Sequence, residues 1–223
     1  MTPHAVVIAA GLGTRLRPLT ERYAKPVLPI DGKPVIALLL RELSEAGCAG
    51  ATIVTGHLAE QVERLVGDGG GFGLAVRYAR QASPDGSADA VLAAAPVAPY
   101  LVLGADKRFT RGDVGRFAAS FADSGAAGAI AVEDRPGTIQ LSDGLVERVL
   151  GEGLAGAPLW AVGPALAPHV EARPGKPPYE LALAFQQAID AGERVAGIQI
   201  GPTRDLTAPV DVLEQNFPYL RNL

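Results

Sequence analysis

The stretch Ala5-Val6-Val7-Ile8-Ala9-Ala10-Gly11-Leu12-Gly13-Thr14-Arg15-Leu16-Arg17-Pro18 decides how the rest of the chain is read. Its first six residues are a continuous apolar run, the pattern of a buried β-strand. Two glycines then let the backbone turn sharply and bring its N–H groups close to a ligand. Consecutive N–H groups in such a loop form a concave nest for anions. Arg15 and Arg17 add fixed positive charge with planar, bidentate donors. Lys25-Pro26 soon supplies another cation on a stiff backbone. The combination suits a polyphosphate.

Two well-known phosphate loops are excluded. The dinucleotide fingerprint needs a third glycine where Leu16 stands, and a Walker A loop would close on Gly-Lys-Ser/Thr. The plain alternative is a strand-to-helix turn with no ligand. Clustered cations argue against it, because they repel one another unless an anion joins them.

A chain of 223 residues suits one α/β domain. Its net charge of −4 argues against a nucleic-acid binder, whose phosphate contacts need a basic surface. Cys48 is the only cysteine, so no disulfide forms within the chain and a reducing, cytoplasmic home is expected. The start Met1-Thr2-Pro3-His4 lacks the basic region of a secretory signal. Asp89, Pro96 and Pro99 break the most apolar stretch, so no membrane span is expected.

Beyond the first strand, helices are expected over 34–47, 58–66, 86–95, 113–122, 178–191 and 209–220. Strands are expected over 51–55, 74–78, 100–103, 129–132, 159–162 and 195–200. Their alternation implies right-handed βαβ units and a Rossmann-like, three-layer α/β/α fold with a mostly parallel central sheet. Residues 137–141 and 145–149 read as a hairpin around Asp143-Gly144. The whole chain, 1–223, is read as one domain, with about 135–162 forming a small inserted antiparallel portion.

Two aspartates stand out by context. Asp106 ends the apolar run Leu101-Val102-Leu103-Gly104-Ala105, and ligands in parallel sheets bind beyond the carboxyl ends of strands. Asp205 follows the 195–200 strand and precedes the last helix. Taken singly, each also reads as an ordinary loop aspartate or helix cap.

The opening stretch, continued by Leu19-Thr20 and then Lys25-Pro26-Val27-Leu28-Pro29-Ile30, resembles the signature of the sugar-1-phosphate nucleotidylyltransferases. The likeness is to the catalytic domain of the glucose-1-phosphate thymidylyl- and uridylyltransferases. That family joins a nucleoside triphosphate to a sugar 1-phosphate and releases pyrophosphate. Leu103-Gly104-Ala105-Asp106 is similar to the family's strand ending in Gly-Asp, with an extra alanine. Asp205-Leu206-Thr207-Ala208-Pro209-Val210-Asp211 is similar to its late Asp-Ile-x-Thr-Pro-x-Asp segment.

The resemblance implies roles for these positions. Arg15, Lys25 and Asp106 would be catalytic, and Asp106 and Asp205 would hold Mg²⁺, which favours carboxylate and phosphate oxygens. Ala10, Gly11, Gly13, Thr14 and Arg15 would bind the nucleotide's phosphates. Gln81, Gly86 and Ser87 would meet its base; a glutamine amide suits the imide edge of uracil or thymine. Lys25, Gly137 and Glu152 would bind the sugar phosphate. The implied partners are a nucleoside triphosphate and a sugar 1-phosphate, on a monomer or small homo-oligomer.

The sequence departs from the family in the sugar half. The Glu-Lys-Pro segment becomes Val149-Leu150-Gly151-Glu152-Gly153 and lacks its lysine. A Gly-Ile-Tyr-like stretch becomes Pro158-Leu159-Trp160, and Thr203 replaces the late tryptophan. Lys107, Arg108 and Lys176 are the available stand-ins for the lysine. Two further readings stay open: a cytidylyltransferase acting on a non-sugar phosphate, and a non-catalytic nucleotide-binding regulatory protein of the same fold. His4, His57 and His169 show no metal-ligand spacing.

Overall fold

In the computed structural model, residues 3–217 are described. The N-terminal half alternates as the apolar pattern predicts. It runs β1 (His4–Ala9), β2 (Pro29–Ile30), β3 (Lys33–Pro34), α1 (Val35–Glu45), β4 (Gly50–Thr55), α2 (Ala59–Val66), β5 (Ala75–Arg80) and α3 (Ser87–Ala93). The middle holds β6 (Tyr100–Gly104), β7 (Lys107–Arg108), α4 (Asp113–Ser124), β8 (Gly128–Gly137), β9 (Gln140–Ser142) and β10 (Leu145–Arg148). The chain closes with β11 (Gly153–Val162), α5 (Ala167–Ala172), α6 (Leu181–Asp190), β12 (Val195–Gln199), β13 (Arg204–Asp205) and α7 (Pro209–Asn216). Residues 218–220 of the expected closing helix lie outside the described residues, as do Met1 and Thr2.

Nine strands form the main sheet, in the order β5-β4-β1-β6-β11-β8-β12-β10-β9. Only β11 and β10 run against the rest, so the sheet is mostly parallel. Side-chain alternation then sorts the core into two layers. Ala5, Val7 and Ala9 of β1 join one cluster with Leu39, Leu43, Val62 and Phe117 from α1, α2 and α4. Val6 and Ala10 join the other, with Val91, Val170 and Phe185 from α3, α5 and α6. Helices thus cover both faces, a three-layer α/β/α arrangement.

The Asp-Gly turn forms where expected, with Asp143 and Gly144 both left-handed (φ 49° and 76°) as in a type I′ turn. Gly137 is not on the hairpin's first arm, however; it ends β8, and the arm begins at Gln140. Strand β11 is far longer than the expected 159–162, and α5 was not foreseen. Among the described residues, no helix is long and apolar enough to cross a membrane.

Candidate active site

Beyond the carboxyl ends of β1 and β6 lies a cavity of about 500 Å³, a volume suited to a small-molecule ligand. Gly11, Gly13, Thr14, Arg15, Lys25 and Asp106 line one part of it. Ser87, Pro158, Trp160, Glu180 and Thr207 line another.

The glycine-rich loop owes its shape to a few contacts. Gly13 is left-handed (φ 61°, ψ 36°), which starts the 3₁₀ turn Thr14–Leu16. A Cβ at Gly13 would stand 2.8 Å from Cγ2 of Thr20, so glycine is required there twice over. Buried Thr20 donates from Oγ1 to the Gly13 carbonyl at 2.8 Å, and His57 Nε2 donates to the Thr20 carbonyl at 2.8 Å. Thr20 and His57, to which the sequence reading gave no role, therefore brace the loop.

Leu16 anchors the loop from beneath. It is buried with Leu28, Ile30, Val35 and Leu206 in a small third cluster. Leu206 follows Asp205 directly, so this cluster ties the arginine-bearing loop to the late aspartate segment. Ala24 donates to Gln61 Oε1 at 2.9 Å, and Gln61 Nε2 donates to the Arg22 carbonyl at 2.8 Å. These bonds hold the backbone leading into Lys25.

Asp106 and Asp205 are brought together by a two-stranded ladder, β7 against β13, in which Lys107 faces Asp205. Lys25 Nζ donates to Asp106 Oδ2 at 2.5 Å, and Lys107 Nζ donates to Asp205 Oδ2 at 2.5 Å. Burial alone would raise the pKa of Asp205. The Lys107 ammonium, the Thr207 hydroxyl and the charge of Lys25 outweigh burial and hold the carboxyl below its ordinary range.

Other contacts fix the Asp205 segment. Buried Asp113 accepts from the Gly201 N–H at 2.9 Å. Asp211 Oδ2 takes the N–H groups of Thr207 and Ala208 at 2.6 and 2.7 Å, starting α7.

The donor set fits a hard divalent cation. Asp106 lies in the turn just before β7 and Asp205 on the facing strand β13, and Mg²⁺ commonly takes one or two carboxylates and completes its shell with phosphate and water. Among the described residues no group of three or more His, Cys, Asp or Glu side chains could hold a metal, so the remaining ligands would have to come from elsewhere.

Several expected site residues lie elsewhere. Ala10 and Gln81 border a smaller neighbouring hollow with Leu12, Gly56 and His57. Gln81 Nε2 donates to the Gly86 carbonyl at 3.1 Å and to Asp89 Oδ2 at 3.0 Å. Gly86 is glycine because the Tyr179 backbone crosses it: φ is 106° and a Cβ would lie 2.3 Å from the Tyr179 carbonyl oxygen. Ser87 lines the cavity, but its hydroxyl donates to Glu180 and accepts from the Leu181 N–H at 2.9 Å, joining α3 to α6.

The sugar-side residues differ most from expectation. Gly137 is packed against the Ala155 backbone, where a Cβ would stand 2.3 Å from the Ala155 Cα. Glu152 is exposed, and neither residue lines the cavity. Of the stand-in cations, only Lys107 reaches a site carboxylate. Arg108 pairs with Asp31, and Lys176 lies in the loop before α6, outside the lining. Glu180 was not foreseen, since nothing in its local sequence marks it. Trp160 packs edge-on against Phe185, with ring centroids 4.7 Å apart.

A glucose-1-phosphate thymidylyltransferase of Streptomyces griseus is 44% identical over 88 residues, 40% of this chain and 25% of the relative. An N-acetylmuramate alpha-1-phosphate uridylyltransferase of Neisseria meningitidis serogroup B is 36% identical over 108 residues, 46% of each chain. The chain thus spans between a quarter and a half of the length of these relatives.

Among solved structures, a UDP-glucose pyrophosphorylase complexed with UDP-glucose superposes with a TM-score of 0.81 at 20% identity, covering 100% of both chains. An inositol-1-phosphate CTP transferase from T. maritima gives a TM-score of 0.79 at 16% identity, covering 94% of this chain and 91% of that one. These two likenesses concern the fold. The sequence model described as Nucleotidyl transferase matches residues 4–146, well over half of the chain, and the chain belongs to that family.

Proposed function

We propose that this protein transfers a nucleotidyl group from a nucleoside triphosphate, UTP or dTTP by preference, to a sugar 1-phosphate. The products are a nucleoside diphosphate sugar and pyrophosphate. One observation carries the reading. Gly11, Gly13, Thr14, Arg15, Lys25 and Asp106, each singled out from the sequence, meet in one cavity.

An oxygen of the sugar phosphate attacks the α-phosphorus in line, forming one P–O bond as the bond to the pyrophosphate leaving group breaks. The nucleophile is already an anion near neutral pH, because a phosphate monoester's second pKa is about 6. No general base is required. The protein must instead hold two repelling anions in line and neutralise the charge that develops. Backbone N–H groups of Gly11, Gly13 and Thr14 receive the β- and γ-phosphates, and Arg15 counters the leaving pyrophosphate. Lys25 bridges the α-phosphate and the incoming phosphate. Asp106 and Asp205 would hold Mg²⁺, which supplies Lewis-acid charge stabilisation when bound.

The preference for UTP or dTTP is supported by the thymidylyl- and uridylyltransferase relatives and by Gln81. Both side-chain bonds of Gln81 are made by Nε2, which leaves Oε1 to accept an imide N–H. A second reading is cytidylyl transfer to a non-sugar phosphate. It is favoured by the missing lysine after Glu152 and by the fold shared with the inositol-1-phosphate CTP transferase.

Pyrophosphate release across a grid of nucleoside triphosphates and phosphorylated acceptors, with Mg²⁺, tests both readings. Release with UTP or dTTP and a sugar 1-phosphate is expected. Release confined to CTP would transfer the assignment to the second reading. Silence across the grid with nucleotide binding retained would leave a regulatory protein.

A further inference from the structure

Within β8, Asp134 and Arg135 interrupt the ladder with β11. Glu133 pairs with Ala155 and Pro136 with Leu154, so two residues of β8 face no partner on β11. Bulges of this kind re-aim side chains and recur beside active sites.

The bulge presents Arg135 in a defined way. Glu133 is buried, and its carboxylate accepts from Arg135 Nε at 2.9 Å and from Thr203 Oγ1 at 2.6 Å. Burial alone would raise the pKa of Glu133, but the Arg135 guanidinium and the Thr203 hydroxyl outweigh it and keep the group ionised. A buried carboxylate is costly unless paired, so Glu133 fixes Arg135 by one edge. The Arg135 side chain remains 55% exposed. Among the described residues, no acceptor bonds to Nη1 or Nη2. Thr203, bonded to the same carboxylate, lies two residues before Asp205, so the guanidinium stands at the start of the segment that carries Asp205.

We infer that Arg135, held by Glu133 and Thr203 beside Asp205, binds an oxyanion of the acceptor in place of the lysine missing after Glu152. The inference rests on the nucleotidyl-transfer reading. In the proposed reaction Lys25 bridges the α-phosphate and the incoming phosphate and Arg15 counters the pyrophosphate, while Lys107 is paired with Asp205 and Arg108 with Asp31. Arg135 has its Nη1 and Nη2 left for a ligand, and a planar fork matches phosphate or carboxylate with two parallel bonds. Glu133 and Thr203 are positioning residues, acting through Arg135. Thr203 stands where the family has tryptophan, so one departure supports the residue that compensates for another. The oxyanion is either the acceptor's 1-phosphate or a carboxylate carried on its sugar.

The test compares wild type with Arg135→Gln and Arg135→Lys. Equilibrium dialysis measures binding of glucose 1-phosphate and of glucuronic acid 1-phosphate, and turnover gives KM for acceptor and nucleotide. Arg135→Gln is expected to weaken acceptor binding about ten- to hundredfold, the range for a lost charge-assisted bond. KM for the nucleotide stays at the wild-type value, Tm falls because buried Glu133 loses its cation, and Arg135→Lys recovers part of both losses. Glu133→Gln and Thr203→Val weaken acceptor binding in the same direction.

Equal losses for both acceptors identify the phosphate as the group bound, and a loss confined to glucuronic acid 1-phosphate identifies the carboxylate. Unchanged binding in Arg135→Gln, or wild-type protein that binds neither acceptor, overturns the inference. If wild type turns over while Arg135→Gln binds normally, the inference fails and nucleotidyl transfer stands. If Arg135→Gln loses binding but wild type never turns over, the reverse holds.

Discussion

Lys107 and Asp205 face each other across the β7–β13 ladder, with Nζ 2.5 Å from Oδ2. One residue earlier, Asp106 meets Lys25 at the same distance of 2.5 Å. The site's two carboxylates and two ammonium groups are therefore interleaved. In the proposed reaction a polyphosphate would draw on the lysines and a divalent cation on the carboxylates. Binding both exchanges internal ion pairs for external ones, which limits the cost of desolvating each charge.

Removing Lys25 should separate catalysis from folding. Lys25→Ala is expected to lower the rate of pyrophosphate release roughly 10²–10³-fold, the loss typical of one preorganised electrostatic group. Circular dichroism of the variant should match wild type. Turnover at the wild-type rate would sink the role assigned to Lys25.

The Lys107–Asp205 pair has a pH signature. Asp205 binds its proton less readily when folded than when unfolded, so the pair's contribution is present above the unfolded-state pKa. It is lost as pH falls through the lower, folded-state pKa. Lys107→Gln removes the larger restoring influence and leaves burial, so the Asp205 titration should move upward. Carbon-detected NMR of the Asp205 carboxyl measures this; a midpoint unmoved by the substitution would contradict the account.

Cys48 should be inert in the native protein. Its side chain is buried, and burial pushes the thiol up to about 11. At pH 8 the thiolate fraction is then about one in a thousand. Iodoacetamide should label Cys48 only after unfolding in guanidinium, as read by intact mass. Rapid labelling of native protein would show that the thiol is accessible.

Phe185 connects the core to the cavity wall. It is fully buried and carries Trp160, the only tryptophan, on its edge. Phe185→Ala should destabilise the fold by about 3–5 kcal/mol in urea unfolding. Trp160 emission should shift to longer wavelength as its packing loosens. An unchanged emission maximum would mean that Trp160 is held by other contacts.

Much of the scaffold was legible because strong periodicity fixes elements. The runs at 5–10 and 100–103 became parallel neighbours β1 and β6, and Gly13 stands where a left-handed turn needs it. What was missed has local causes. Gly153, Gly156 and Pro158 hide most of β11 from a strand pattern, since glycine and proline disfavour ladders. Pro158 is tolerated because the register with β8 shifts between Gly156 and Trp160.

The site was legible wherever chemistry and backbone need coincide. Gly86 serves a chain crossing at Tyr179, a need that sequence cannot distinguish from close approach to a ligand. Arg135 and Glu133 gave no local signal at all. Their meaning comes from the bulge and from Thr203, seventy positions further along the chain.

Strand β11 also separates what can change from what cannot. Ala157, Leu159 and Ala161 point into one core layer, while Pro158 and Trp160 point into the cavity. Alternate letters of a single word thus answer to different demands, one set to the helices behind it and the other to the visiting molecule. In the proposed reaction, positions 158 and 160 could be rewritten to suit another acceptor while the core side of the strand keeps its spelling.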